Sequence, residues 1–210
     1  MNASLAAARL VRPARLLMGA VYAINGLNWW LKIITPYPSR SDFVHWYPPP
    51  DVVGAMIENG VLFHMVKATE LLTGIALLTD CFVPLMLVVA LPVTLPVFVV
   101  DAFWHVHLRG LVMGSGSLLL NAFLLLAYLG HYRPMLAWRG TVGPEPPTAA
   151  GSPGTAPARA LAAAVQPIMP LLGALACAVG LVMLGWLLVM IAQYLRTPLP
   201  LSAIHHLTPR

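Results

Sequence analysis

GVLFHMVKATELLTGIALLTDCFVPLMLVVALPVTLPVFVVDA, residues 60–102, holds two apolar segments separated by little more than Asp80. Each segment has about 20 mostly apolar residues, the length that an α-helix needs to cross the hydrocarbon core of a bilayer. The connection between them is so short that the two helices must be adjacent and antiparallel. This stretch predicts a helical hairpin embedded in a membrane.

The rest of the chain has the same character. Of its 210 residues, 59% are apolar and only 9% are charged, and the mean hydropathy is +0.80. Soluble globular domains do not have this composition. We expect an all-α polytopic membrane protein, a four-helix transmembrane bundle plus an appended fifth transmembrane helix. The predicted spans are residues 15–35, 60–79, 82–102, 112–130 and 168–195.

The predicted organisation has three parts. Residues 1–138 form the four-helix bundle, 139–166 a cytoplasmic linker, and 167–210 the fifth helix with a C-terminal tail. The linker is rich in Pro, Gly and Ala and has almost nothing with which to build a core, so we expect it to be flexible and the fifth helix to be separate from the bundle.

The basic residues are distributed unevenly along the chain. Arg9, Arg12 and Arg15 precede the first span, and three more arginines lie between the fourth and fifth spans. By the positive-inside rule this asymmetry predicts a cytoplasmic N-terminus and a C-terminus on the opposite side. Since no basic stripe interleaved with aromatic residues exists, we expect no binding to nucleic acid.

Polar side chains recur inside the first four spans, and at 100° per residue they fall largely on one face of each helix. We expect these faces to meet in a polar intramembrane pocket. Its predicted members are Asn25, Asn28, Lys32, His64, Lys67, Glu70 and Asn121. Tyr22, Thr94 and Ser117 lie on the same stripes.

Lys67 and Glu70 are the most informative of these residues. An ionised side chain near the bilayer centre costs about 2.5–3.5 kcal/mol on insertion scales, so such residues normally face the helix bundle and pair. Their i, i+3 spacing allows them to pair along one helix. We predict a buried Lys67–Glu70 pair at the centre of the pocket. The alternative, in which the asparagines and the ion pair only join helices, stays open.

Asp101, His105 and His107 form a second candidate site, because one carboxylate and two imidazoles could bind a metal. Asp101 and His105 share a helical face, but His107 lies about 200° from His105. Histidine is also an ordinary residue near the edge of a span. A metal at this position is therefore disfavoured.

The fifth span has no polar stripe. It carries small residues four apart, Gly173 with Cys177 and Ala176 with Gly180, which allow another helix to approach closely. Two interpretations remain, a helix that docks other membrane subunits and a helix that faces only lipid.

Four stretches together carry a resemblance to a known family. They are RLLMGAVYAINGLNWWLK (15–32), MVKATELLTGIALLTDCFVPLMLV (65–88), LPVTLPVFVVDAF (91–103) and LLLNAFLLLAYLGHYRPML (118–136). With the NGLN, K-x-x-E-L and PV elements in this order, residues 16–139 resemble the DoxX-like small integral membrane proteins.

The resemblance implies a four-helix membrane bundle, found in bacteria and in eukaryotes, and we expect this chain in a bacterial inner (plasma) membrane. Founding members of that family look like subunits of a thiosulfate:quinone oxidoreductase, and other relatives are associated with redox stress or with assembly of other membrane proteins. The positions that match its motifs are Asn25, Asn28, Lys67 and Glu70. The linker and the fifth helix fall outside the resemblance.

Three functions are compatible with these features. The first is an accessory or structural subunit of a redox-linked membrane complex, whose pocket holds the helices together or binds a small amphipathic ligand such as a quinone. The second is an enzyme of its own, a quinone-linked oxidoreductase or a metal-dependent membrane enzyme. The third is a proton-coupled carrier that uses Lys67 and Glu70. The sequence leaves enzymatic activity open and favours a non-catalytic role, because it holds no complete catalytic constellation.

Overall fold

A computed structural model of the chain describes residues 3–31, 55–56, 59–104, 108–132 and 156–196. Its helices are α1 (Ala3–Leu31), α2 (Leu62–Thr79), α3 (Val83–Val99), α4 (Leu108–Ala127), α5 (Leu129–Tyr132), α6 (Ala156–Val165) and α7 (Met169–Arg196). A π-helical segment, Val100–Trp104, extends α3. No strand occurs in the described residues, so the all-α prediction is confirmed for them.

In the described residues, four helical segments are long and apolar enough to cross a membrane, and they identify an integral membrane protein in contact with lipid. They are Leu62–Thr79, Val83–Phe103, Gly110–Ala127 and Met169–Arg196. These segments correspond to the second to fifth predicted spans. The first predicted span falls in α1, which is not among the four, since it carries arginines in its first half and asparagines in its second.

The helical hairpin of α2 and α3 forms as predicted, and its two helices pack against each other. Asn59 caps the start of α2, where its side-chain oxygen accepts the Leu62 backbone N–H at 3.2 Å. At the other end Asp80 has a left-handed backbone conformation (φ 64°), and its N–H donates to the Ala76 carbonyl. Phe82 is also left-handed (φ 53°), and α3 begins at the next residue. With left-handed backbone conformations at Asp80 and Phe82, the connection between α2 and α3 needs only three residues, 80–82.

Helix α1 contacts α2, α7 and α4. It lies antiparallel to α2, because a Cβ on Gly19 would come within 3.1 Å of Leu77, whereas one on Gly26 would meet the backbone of Leu71 at 2.6 Å. Most of the fully buried side chains in the described residues are apolar. Those with almost no exposed surface include Met18, Leu77, Leu87, Leu120, Phe123, Leu124, Ala176 and Met183.

The fifth predicted helix, α7, is not separate from the others, and that expectation was wrong. A Cβ on Gly173 would meet Phe123 of α4 at 2.7 Å and Leu10 of α1 at 3.1 Å, and one on Gly180 would meet Leu17 at 3.1 Å. The small residues of α7 are therefore in contact with α1 and α4 of the same chain.

The predicted linker is also more ordered than its composition indicates. Residues 156–165 form α6, because the alanine-rich sequence APARALAAAV has a high intrinsic preference for helix. The rest of the linker, 139–155, lies outside the described residues.

Candidate functional site

Three of the predicted polar residues meet between α1 and α2 in a cluster of Asn25, which is half-buried, and Lys67 and Glu70, which are buried. Lys67 Nζ donates to Glu70 Oε2 at 2.8 Å, and Asn25 Nδ2 of α1 donates to the same oxygen at 2.9 Å. Lys67 and Glu70 are only 7% and 5% exposed. One carboxylate oxygen thus accepts a charged donor from its own helix and a neutral donor from the next. The arrangement joins α1 to α2 through the buried Glu70 carboxylate.

The backbones of α1 and α2 approach most closely beside this cluster. A Cβ on Gly74 would lie 2.4 Å from the backbone nitrogen of Ala23, and one on Gly26 would lie 2.6 Å from that of Leu71. No larger residue fits at either glycine without moving a backbone. Small residues at the interface between two membrane helices allow this approach, which increases van der Waals contact along both helices.

Phe63 and Trp29 cover the outer end of the cluster. Lys67 Nζ lies 5.4 Å from the centre of the Phe63 ring, and that ring contacts Trp29 edge-on at a centroid distance of 4.7 Å. A cation over an aromatic face is attracted by its quadrupole. The ammonium group therefore has an aromatic neighbour in addition to the Glu70 carboxylate.

Tyr22 extends the polar contacts to α3. Its hydroxyl lies 2.6 Å from Thr94 Oγ1, which donates its own proton to the Ala90 carbonyl at 2.8 Å, so Tyr22 is the donor in the first bond. Tyr22 and Thr94 were not among the predicted pocket residues, although both lie on the polar stripes. Both residues follow the 100° periodicity of the polar stripes, but the predicted set consisted of charged, amide and imidazole side chains and left these two hydroxyls out.

The other predicted pocket residues lie in different surroundings. Asn121 is fully buried on α4 and donates to the Leu87 carbonyl of α3 at 3.3 Å. Asn28 is buried near the end of α1, and Lys32 falls outside the described residues. His64 is exposed: its Nδ1 donates to the Gly60 carbonyl at 2.6 Å. The structure therefore does not bring all seven predicted residues into one pocket.

His64 packs between two aromatic residues instead. Its ring lies 5.2 Å from that of Trp29 and 6.5 Å from that of Trp30. Both tryptophans belong to the last turn of α1 and meet the first turn of α2 here. Aromatic side chains of this kind are typical of the boundary between the hydrocarbon core and water. This group marks one end of the α1–α2 pair.

Of the second predicted site, only Asp101 lies in the described part of the chain. It packs on α4, since a Cβ on Gly114 would meet its Cβ at 2.9 Å and one on Gly110 would meet Oδ1 at 3.4 Å. His105 and His107 fall outside the described residues. Within the described ranges, no three His, Cys, Asp or Glu side chains are grouped closely enough to hold a metal ion.

Comparisons with protein-family models, with curated proteins and with solved structures find no match to this chain.

Proposed function

We propose that this chain is a DoxX-like integral membrane protein that serves as an accessory or structural subunit of a redox-linked membrane complex. The observation that carries the proposal is the bonding of Glu70, whose Oε2 accepts both Lys67 and Asn25. Lys67 and Glu70, the side chains whose insertion into a membrane costs the most free energy, pair with each other. A general acid or base must instead reach the proton of a substrate. The cluster therefore acts as a connection between helices.

The proposal includes α1 as a fifth spanning helix. Arg15 pairs with Asp80 beyond one end of α2, and Trp29 contacts Phe63 at the other. Helix α1 thus accompanies α2 from end to end. Because α2 is long and apolar enough to cross the bilayer, the part of α1 between Arg15 and Trp29 crosses the same thickness. Its low apolarity reflects polar residues that face inward, where lipid does not meet them.

The same contacts support the proposed topology. Leu10 lies near Gly173, and Leu17 lies near Gly180, so α1 and α7 run parallel and begin on the same side. With the arginines of α1 on the cytoplasmic side, the C-terminus lies on the opposite side. That the membrane is a bacterial inner membrane is a separate part of the proposal.

Thiol labelling in intact cells tests this topology. Cys81 is exposed on the turn after α2, on the side where α1 begins. In the Cys177→Ala variant, an impermeant maleimide should label Cys81 only after the cells are permeabilised. In a variant with both cysteines replaced and Arg196→Cys added, labelling should not require permeabilisation. Labelling of both positions from the same side would contradict the proposal, which places three spans, α3, α4 and α7, between them.

A partner subunit would meet the outer face of α7, because the small residues of its inner face already contact α1 and α4. The most exposed apolar side chains of this outer face include Leu171, Leu181, Val182, Leu188 and Val189. A contiguous apolar surface of this kind suits either lipid or another membrane protein.

Replacing Leu181 and Leu188 by alanine distinguishes these two occupants. Lipid fills the space left by a shortened side chain, whereas a packed protein interface loses contacts. The double variant should release copurifying subunits from the gently solubilised protein, and Leu85→Ala on the exposed face of α3 should not. Deleting the whole helix is a poorer test, because it also uncovers α1 and α4. Absence of any copurifying protein would refute the accessory-subunit role.

Mass spectrometry of the same preparation also tests the enzymatic alternative. Absence of a retained quinone would leave the quinone-linked oxidoreductase without support, whereas a quinone retained in stoichiometric amount and lost on Lys67→Met would show that the cluster binds a ligand and does more than join helices.

A further inference from the structure

A cavity of about 490 Å³ opens where the first half of α1, the turn after α2 and the end of α4 meet. Its volume falls within the range of about 300–1,000 Å³ that is typical of small-molecule sites. It lies at the opposite end of α1 from Trp29 and the Lys67–Glu70 pair. The lining residues are Ala8, Val11, Arg12, Arg15, Asp80 and Tyr128.

Arg15 is the buried element of this cavity. It is only 7% exposed, and its guanidinium pairs with the carboxylate of Asp80. Its Nε is buried and has no hydrogen-bond partner within the described residues. A buried donor left in this state costs about 1–3 kcal/mol, but Nε is closed to a water-sized probe and so does not itself face the cavity. Arg15 lines the cavity, and the positive charge of its guanidinium favours a ligand with acceptor oxygens.

Arg12 supplies a second cation at the mouth of the cavity. It is exposed and lies one turn before Arg15, so both side chains project from the same side of α1. Within the described part of the chain it has no ion-pair partner. Among the described lining residues, two guanidinium groups thus accompany one carboxylate, which is a net positive charge. Tyr128, at the end of α4, adds a hydroxyl to the lining.

We propose that this cavity binds a phosphate group, with Arg12 and Arg15 as its principal donors. Guanidinium is the side-chain group best matched to phosphate, because its N–H groups form a rigid planar fork. The cavity also has an apolar wall, Ala8 and Val11, and lies at the end of the membrane-spanning helices. Basic cavities between helices at the cytoplasmic side of a membrane are suited to anionic lipid headgroups. A soluble phosphate ester offers the same chemistry. The proposal does not depend on the role of the chain in a complex.

Binding of phosphatidylglycerol to the purified full-length chain tests the proposal, with Arg12→Gln as the variant and Arg9→Gln as its matched control. Arg9 is exposed on the same helix and does not line the cavity. Either substitution removes one cation near the membrane surface, which lowers affinity for an anionic lipid about fivefold without any specific site. We expect Arg12→Gln to lower the affinity about tenfold more than Arg9→Gln does, and phosphatidylcholine to bind weakly to all three proteins.

Two further measurements identify the source of the phosphate and protect the test from misfolding. Inorganic phosphate and glycerol phosphate that compete at millimolar concentration would indicate a soluble ester, whereas failure to compete with bound phosphatidylglycerol would indicate the lipid. Equal thermal unfolding midpoints for the two variants would show that both are folded. Equal losses of lipid affinity in Arg12→Gln and Arg9→Gln, with no binding of the soluble phosphates, would overturn the proposal.

Discussion

Replacing Lys67 by methionine leaves the Glu70 carboxylate buried with Asn25 as its remaining hydrogen-bond partner. Replacing Glu70 by glutamine instead removes the carboxylate that Lys67 Nζ meets at 2.8 Å. Either single substitution removes one charge of the pair and leaves the other in a place where both side chains are at most 7% exposed. The double substitution removes both charges together. Its glutamine carbonyl can still accept Asn25 Nδ2, so one neutral hydrogen bond between α1 and α2 survives.

The single and double variants should lose different amounts of stability, and the double variant should lose the least. Breaking a buried ion pair from one side typically costs about 3–5 kcal/mol, because an uncompensated charge remains. Hydrogen bonds between membrane helices contribute about 0.6–1.7 kcal/mol, so the double variant should lie within about 2 kcal/mol of the wild type. The double variant should therefore be more stable than either single variant.

Unfolding of the detergent-solubilised full chain by sodium dodecyl sulfate, followed by circular dichroism, measures these stabilities. Met65→Leu, on the exposed face of α2, is the control and should shift the midpoint by less than about 0.5 kcal/mol. If both single variants lose less than about 1 kcal/mol, or if the double variant loses the sum of the two, the Lys67–Glu70 pair does not fix the α1–α2 interface as argued.

Three other perturbations test neighbouring contacts. Gly74→Ala should cost about 1–3 kcal/mol, because the new Cβ meets the α1 backbone, while Gly185→Ala, which has nothing within 4 Å, should be neutral or stabilising in the same unfolding assay. Tyr22→Phe and Thr94→Val should each cost about 0.6–1.7 kcal/mol of stability. Because the two side chains share one hydrogen bond, the double variant should lose no more than the larger single loss. Additive losses would contradict this. Tyr132, beyond the end of α4, has its pKa raised to about 12 by burial and by the neighbouring Tyr128. Its stabilising contribution should be complete below pH 10 and lost as the pH rises through about 12, and ultraviolet titration of the wild type against Tyr132→Phe should show that ionisation.

Side-chain periodicity was sufficient to predict the centre of the site. Lys67 and Glu70 are three residues apart on one helix, and few alternatives exist for two charges inside an apolar segment. Asn25 was predicted because an amide inside a span also needs a partner. These predictions succeeded where the cost of exposure to lipid leaves one arrangement far better than the rest.

Periodicity could not determine which helices the remaining polar faces would meet. Asn121 and Asp101 lie on the expected stripes, but Asn121 donates to a backbone carbonyl of α3 and Asp101 packs on glycines of α4. The small residues of α7 illustrate the same limit, because spacing alone does not distinguish a contact within the chain from a contact with a partner. That choice depends on how α1, α4 and α7 fit together.

Asp80→Asn separates the two roles that Arg15 can have. Asp80 is 65% exposed, so solvent screens its pairing with Arg15, and such pairs contribute about 0–1 kcal/mol. Asparagine also tolerates the left-handed backbone at this position. If the cavity binds phosphate, removing the Asp80 carboxylate should leave stability within about 1 kcal/mol of the wild type. It should also raise the affinity for phosphatidylglycerol by more than the roughly fivefold that loss of one surface anion gives without a specific site. If Arg15 serves only to hold the turn against α1, the variant should unfold more readily, with a gain in lipid affinity of no more than about fivefold. The affinity for phosphatidylglycerol should thus rise in Asp80→Asn and fall in Arg12→Gln, because the two substitutions change the charge of one cavity in opposite directions. Non-specific attraction to the membrane would lower the affinity equally in Arg12→Gln and Arg9→Gln, so a difference between these two variants indicates a site.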